Sequence, residues 1–323
     1  MAEFLDGAEH TLDLAQYDFN LGPETGPIVC DSIRRAAARG VTVRLAYNVD
    51  HAQPIPVPAP PDADVALIES LPVESKPIAG VPDLMHHKYV VRDAGSVWTG
   101  SLNWTDDSWS RQENVVIVVE SAAIAKAFTL DFGQLWTTGE VLKSGYVDPR
   151  PEDGTKTRAW FSPGHGEDLS SRIAKFIRRA RKRVRICSPV ITTGPVLGTL
   201  AQVIADRSVD LAGCVDATQV REVISQWHAN QNVSWKLPLL EHVLAGPFTG
   251  KKSTPFGIGT VHDFMHAKVT VCDDTVFVGS FNLSRSGEKN AENVIELHDA
   301  AIADRLAAYV DAVRARYGPV TLT

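Results

Sequence analysis

Short runs in which apolar and polar residues alternate recur along this chain, each entered from a segment with helical spacing. AEHTLDLAQY (8–17) and ARKRVRICSP (180–189) read as a helix end running into an alternating strand. AAARGVTVRLAYNVD (36–50) and VIADRSVDLAGCVDA (203–217) read as a helix followed by a second strand. MHHKYVVRD (85–93) alternates again, turns at Asp93-Ala94-Gly95 and returns through Val97-Trp98-Thr99 to Asn103; MHAKVTVCD (265–273) turns at Asp273-Asp274 and returns to Asn282 in the same way. SAAIAKAF (121–128) and DAAIADRL (299–306) each open a helix on an N-cap residue, Ser121 or Asp299. Strands alternating with helices predict an α/β protein whose sheets are mixed, largely parallel and flanked by helices.

These matches come in the same order in both halves, so one unit is used twice. The polar, Pro- and Gly-rich stretch GYVDPRPEDGTKTR (145–158) divides the chain into units at 1–148 and 149–323, expected to face each other across a pseudo-two-fold axis. Irregular insertions upstream of each motif, at about 51–83 and 245–260, are expected to rim the cleft. The second unit has a lead-in, AWFSPGHGEDLSSRIAKFIRR, that the first lacks.

Composition fits a soluble globular protein, with 44% apolar and 22% charged residues among 323. Cys30, Cys187, Cys214 and Cys272 are widely spaced, which predicts free thiols in a reducing, cytoplasmic setting. The acidic N-terminus is unlike a secretory leader, and no apolar run is long enough for a transmembrane segment. A net charge of −7 argues against a surface built for polyanions. The stretch Arg172 to Arg185 nevertheless holds eight bases and no acid. It reads as a helix burying Ile173, Phe176 and Ile177, or as a contact for anionic surfaces.

Alternation puts His86 and Lys88 on one face and Met85 and His87 on the other, with Ser101 and Asn103 following; the second copy offers His266, Lys268, Ser280 and Asn282. Phosphodiester cleavage needs such a set. One histidine attacks phosphorus, a second protonates the leaving alkoxide and then activates water, and lysine and asparagine donate to the non-bridging oxygens. Each unit has one such histidine, so two units complete one site. Glu113 and Glu292 lie 27 and 26 residues beyond the motif histidines, where a carboxylate would accept the imidazole Nδ1 proton. Asp93 and Asp273 read as hairpin scaffolding; Ser101 and Ser280 as phosphate ligands or turn residues. A zinc site from His86, His87, His262, Asp263 and His266 is disfavoured by the adjacent lysines. Trp98, Trp104 and Trp109 read as core or rim, with an exposed Trp104 able to stack on a base or enter lipid.

The two His-x-Lys-x4-Asp and Gly-Ser-x-Asn motifs, His86, Lys88, Asp93, Gly100, Ser101, Asn103 and His266, Lys268, Asp273, Gly279, Ser280, Asn282, resemble the phospholipase D superfamily over nearly the whole chain. The resemblance implies a phosphohistidine intermediate with no metal or cofactor, His86 as nucleophile and His266 as acid and base. Two motifs in one chain are similar to lipid-acting members and imply a monomer; HHK, TGSLNWT and RQENVVIVVE look like the superfamily's nucleases. Phospholipid headgroup hydrolysis or transfer is therefore expected first, nucleic-acid cleavage second, and a non-catalytic binding protein third.

Overall fold

The computed structural model describes residues 1–51, 63–150, 156–207, 209–229, 235–255, 257 and 262–321. Parts of both expected cleft insertions, 52–62 and 256 with 258–261, lie outside the described residues. The first half carries α1 (Ala2–Asp6), β1 (Thr11–Gln16), β2 (Phe19–Asn20), α2 (Thr25–Ala38), β3 (Thr42–Val49), α3 (Val65–Glu69), β4 (Glu74–Ala79), β5 (Lys88–Arg92), β6 (Ser96–Gly100), β7 (Trp104–Thr105), α4 (Asp106–Ser110), β8 (Val116–Glu120) and α5 (Ala122–Thr138). The second carries β9 (Arg158–Ser162), α6 (Gly166–Arg179), β10 (Arg183–Cys187), α7 (Gly194–Asp206), β11 (Asp210–Asp216), α8 (Ala217–Ala229), α9 (Leu237–Leu244), β12 (Phe248–Lys251), β13 (Val269–Cys272), β14 (Thr275–Gly279), α10 (Arg285–Lys289), β15 (Glu292–His298) and α11 (Ala300–Arg314).

Both halves form the expected mixed sheet with flanking helices. The first sheet has the order β4-β3-β1-β5-β6-β8; the second, β12-β11-β10-β13-β14-β15, repeats it and adds β9 at the edge. Strands joined through helices pair in parallel, β1 with β3 and β10 with β11, whereas the motif hairpins β5-β6 and β13-β14 are antiparallel. The lead-in of the second half thus supplies β9 and α6, while the first half opens on the short α1. One apolar core joins the two halves: Phe128, Phe132 and Leu135 of α5 and Val310 and Val313 of α11 belong to the same buried cluster as Tyr89 and Val97 of the first sheet and Val271 and Ile295 of the second. Ser121 and Asp299 cap α5 and α11 by accepting from the N–H of Ile124 and Ile302.

The hairpin aspartates tie each motif strand to its neighbour. Asp93 accepts from the backbone N–H groups of Glu9, His10 and Thr11 at 3.0, 2.7 and 2.8 Å. Asp273 does the same for Arg181, Lys182 and Arg183 at 2.9, 2.8 and 3.0 Å. Both sit at φ +52°, a left-handed conformation that aspartate tolerates. Burial alone would raise these carboxyls, but the three amides hold each below the usual aspartate value.

Within the basic stretch, α6 buries Ile173 and Ile177, with Phe176 partly covered. Much of its charge is matched inside the chain: Arg172 meets Glu296 at 2.5 Å, Arg178 Asp206 at 2.9 Å, and Arg183 Asp304 at 2.5 Å. Arg185 meets both Asp210 and Asp311, at 2.6 and 2.7 Å. Trp104 is not exposed: it is fully buried against Phe19 and Trp98, because β7 pairs with β2 and folds it inward. The four cysteines are free thiols, all buried. Among the described residues no helix is long and apolar enough to cross a membrane.

Candidate active site

The start of each motif runs along the opposite half. His86 N–H donates to Ala291 O at 2.9 Å and His266 N–H to Glu113 O at 3.0 Å. Met85 and Met265 are anchored one residue earlier, their N–H groups donating to Asn48 Oδ1 and Asp216 Oδ2. Alternation then turns Met85, Met265 and His87 into the interior; His87 lies between Asp131 and Asn293, at 3.1 and 3.2 Å, and serves packing. His86, Asn103, His266 and Asn282 line one cavity of about 450 Å³. Lys88 and Lys268 lie buried beside it, each donating to the carbonyl of its own motif histidine, at 2.6 and 2.8 Å. That bond leaves further ammonium protons for a ligand. Asn103 and Asn282 each hold a buried Oδ1 with no protein partner.

The two histidines are held differently. His86 Nδ1 meets both carboxylate oxygens of Glu292, at 2.8 and 2.9 Å. His266 Nδ1 instead meets Asn114 Oδ1 at 3.2 Å. Asn114 Nδ2 donates to Ser108 O at 3.0 Å, which fixes the amide so that Oδ1 faces the imidazole; an oxygen only accepts, so His266 Nδ1 carries the proton.

The expected role of Glu113 as imidazole partner is therefore corrected. Ser101 N–H donates to Val115 O where Ser280 N–H donates to Asn293 O, so the first half is slipped by one residue and Asn114 stands in the place of Glu292. A one-residue slip moves a strand side chain to the opposite face. Glu113 accordingly points away, into Lys251 at 3.0 Å, Arg316 at 3.4 Å and the hydroxyl of Tyr317. The register supplies a reason. Lys251 pairs with Asp216 in the second sheet; the corresponding partner of Asn48 in the first is the apolar Ile78, which offers Glu292 no competing ion pair.

Electrostatics follow from burial. Desolvation, then the charges of Lys88 and Lys268, pushes both imidazoles well below the usual histidine value, so they are neutral near pH 7. Burial lowers Lys88 to about 7 against the pull of Glu292, and raises Glu292 to about 7 against Lys88, the Ser280 hydroxyl and Lys268. Lys268 is also lowered, by burial and then by Lys88.

Ser101 and Ser280 are fully buried and occupied in their turns: Ser101 Oγ donates to Asn114 and accepts from Val115 N–H, and Ser280 Oγ accepts from Asn293 N–H. The glycines before them allow a close approach, since a Cβ would lie 2.1 Å from Val115 O or Asn293 O. Asp93 and Asp273 stand at the far ends of the hairpins. Among the described residues no three His, Cys, Asp or Glu side chains converge as a metal site. Asn114, Lys251 and Tyr17, whose ring lies under Lys88, went unassigned in the sequence; the motif spacing carried no signal for them, because Ser to Glu is twelve residues in both copies.

A family model described as cardiolipin synthase, PLD-like domain matches residues 1–136 and 173–314. The chain is 28% identical over 134 residues to the mitochondrial cardiolipin hydrolase of Xenopus laevis, covering 40% of this chain and 56% of that protein. It is 24% identical over 148 residues to the human protein of the same name, covering 46% and 54%. It thus spans about half the length of the curated relatives it matches. Phosphatidylserine synthase from Haemophilus influenzae shares the fold over 98% of this chain and 82% of its own, with TM-score 0.67 and 12% identity.

Proposed function

The chain belongs to the family of phospholipase D-like domains described by cardiolipin synthase, and on that premise we propose that it is a metal-independent phosphodiesterase acting on phospholipid headgroup diesters through a phosphohistidine at His86. The observation that carries the chemistry is the unequal support of the two histidines. Glu292 holds the Nδ1 proton of His86 and offsets the positive charge that develops as Nε2 attacks phosphorus. The P–N bond forms as the P–O bond to the leaving alkoxide breaks, and His266 gives that alkoxide its Nε2 proton. His266 has only an amide behind it, so its imidazolium is a stronger acid. The negative diester entering beside it favours the protonated form needed for this step. Neutral His266 then takes a proton from water or an alcohol, whose oxygen displaces His86 and returns the site to its start. Lys88, Lys268, Asn103 and Asn282 donate to the non-bridging oxygens throughout.

The lipid reading is supported by the cavity wall, where Pro189, Val190, Val223, Trp227 and Phe264 give an apolar side. The buried thiols suit a reducing compartment such as the cytoplasm, and one chain brings both motif histidines to one cavity, which supports activity as a monomer.

Purified protein in chelator, given mixed phospholipid vesicles, ethanol and labelled single-stranded DNA, tests the reading against a His266→Ala control. Phosphatidylethanol made only by the unmodified protein is the expected result. Shortened DNA with intact lipid replaces the substrate, and no product from either overturns the enzyme reading in favour of a binding protein.

A further inference from the structure

The catalytic cavity is lopsided in a way that the chemistry does not require. Its floor is shared by both halves, but among the described residues its wall comes mostly from the second: Pro189, Val190, Val223, Trp227, Phe264 and Lys236. The connection from β11 to β12 carries α8 and α9, whereas the matching connection from β3 to β4 carries, among the described residues, only the five-residue α3. Among the described residues, therefore, α8 and the start of α9 wall the site on the side of the second half without a counterpart in the first. An addition on one side leaves the two-histidine chemistry unchanged and alters what the cavity accepts.

Lys236 stands at the head of α9 within this wall. Its ammonium donates to Thr192 O at 3.1 Å and lies 5.6 and 5.7 Å from the ring centroids of Trp227 and Trp235. Among the described residues no carboxylate lies within ion-pair distance of it, and residues 230–234, NQNVS, contain no acid. Arg285, on the same cavity, is committed to Glu167 at 2.6 Å and Glu288 at 3.1 Å. The one carboxylate on the described cavity lining is Glu222 of α8, which makes no ion pair among the described residues. Several covered cations among the described residues have anions: Lys251 has Glu113, Arg172 has Glu296, Arg185 has Asp210 and Asp311; Lys76 and Arg92, away from this cavity, donate to backbone carbonyls as Lys236 does. The half-buried ammonium is in contact with a carbonyl and two indole faces, and Glu288, the carboxylate that attracts it from further off, is already paired with Arg285, so an incoming anion would be its first direct ion-pair partner among the described residues. The scissile phosphate already has Lys88 and Lys268.

We propose that Lys236, flanked by Trp227 and Trp235, binds a second anionic group on the substrate lipid, a headgroup phosphate or carboxylate apart from the scissile diester. The apolar wall takes the carbon skeleton between them. This rests on the lipid reading above and narrows it to anionic headgroups. The ring faces add cation–π attraction that holds the ammonium in place while its remaining protons meet the ligand.

Calorimetric titration tests this without turnover. Glycerol 1,3-bisphosphate is compared with glycerol 3-phosphate, and glycerophosphoserine with glycerophosphoethanolamine, on unmodified protein, K236Q and K236R. The unmodified protein is expected to favour the analogue with the extra anion by about tenfold in one of the two pairs, which also says whether phosphate or carboxylate is taken. K236Q should lose that preference and K236R keep it. Equal affinity within both pairs, or a preference that survives K236Q, overturns the proposal. A Lys236-dependent preference shown only by a short 5′-phosphorylated oligonucleotide overturns the lipid commitment. Hydrolysis of phospholipid by unmodified protein, followed in parallel, reports on the lipid reading separately.

Discussion

His86 Nδ1 lies 2.8 Å from a carboxylate oxygen of Glu292, a residue 206 positions further along the chain. Its counterpart His266 meets the amide of Asn114 at 3.2 Å. A duplicated chain has thus placed a charged partner behind one histidine and a neutral partner behind the other, and the first group of expected outcomes tests that difference.

Glu292→Gln should lower the rate of diester cleavage by about two to four orders of magnitude, since an amide can no longer balance the charge on His86. Glu113→Gln should change the same rate by less than about tenfold, because its carboxylate serves the Lys251 cluster. Comparable losses from both substitutions would mean that the halves act alike.

Asn114→Asp places a carboxylate behind His266. A carboxylate favours the imidazolium, so His266 should stay protonated to higher pH, and the optimum of kcat/KM should move upward. A pH profile with an unmoved optimum would remove Asn114 from the positioning of His266.

Burial has lowered Lys88 to about 7. The charged form is the protonated one, so anion affinity should be full on the acid side and fall as pH rises through that value. Dimethyl phosphate, whose single charge does not change between about pH 6 and about pH 8, should bind progressively more weakly across that range, a trend that Lys88→Gln flattens.

Lys251 and Glu113 are both almost fully buried, and removing one takes away the other's nearest charged partner, leaving only the longer contacts of Glu113 with Arg316 or of Lys251 with Asp263. Lys251→Met should cost about 3 kcal/mol in denaturant unfolding, and adding Glu113→Gln should recover part of that loss. Additive losses would show that the two are not coupled.

Asp93→Ala leaves three backbone amides without their acceptor and should destabilise the protein by about 1–2 kcal/mol, as should Asp273→Ala. Both carboxyls sit below 3.8 in the folded chain, so their contribution is present above that value and lost as pH falls through the folded value. The difference between Asp93→Ala and unmodified protein should therefore shrink in acid.

Much of this protein was legible in its residues. Two-residue alternation marked the motif strands, the repeat marked two halves, and the pairing of His with Lys and Ser with Asn on one face follows from the pleat alone. Local rules also foresaw the caps at Ser121 and Asp299 and the turns at Asp93 and Asp273, because each is satisfied by backbone groups close by in space or sequence. The partners of the histidines were not legible in that way. Glu113 and Glu292 stand twelve residues beyond Ser101 and Ser280 alike, so spacing made them equivalent. Only the assembled halves separate them, since pairing register is chosen by what each side chain finds on the opposite unit: Lys251 and Tyr317 for Glu113, but His86 for Glu292. Burial of Trp104 and the isolation of Lys236 are likewise tertiary outcomes, because exposure depends on which distant elements cover a residue rather than on its neighbours in the chain.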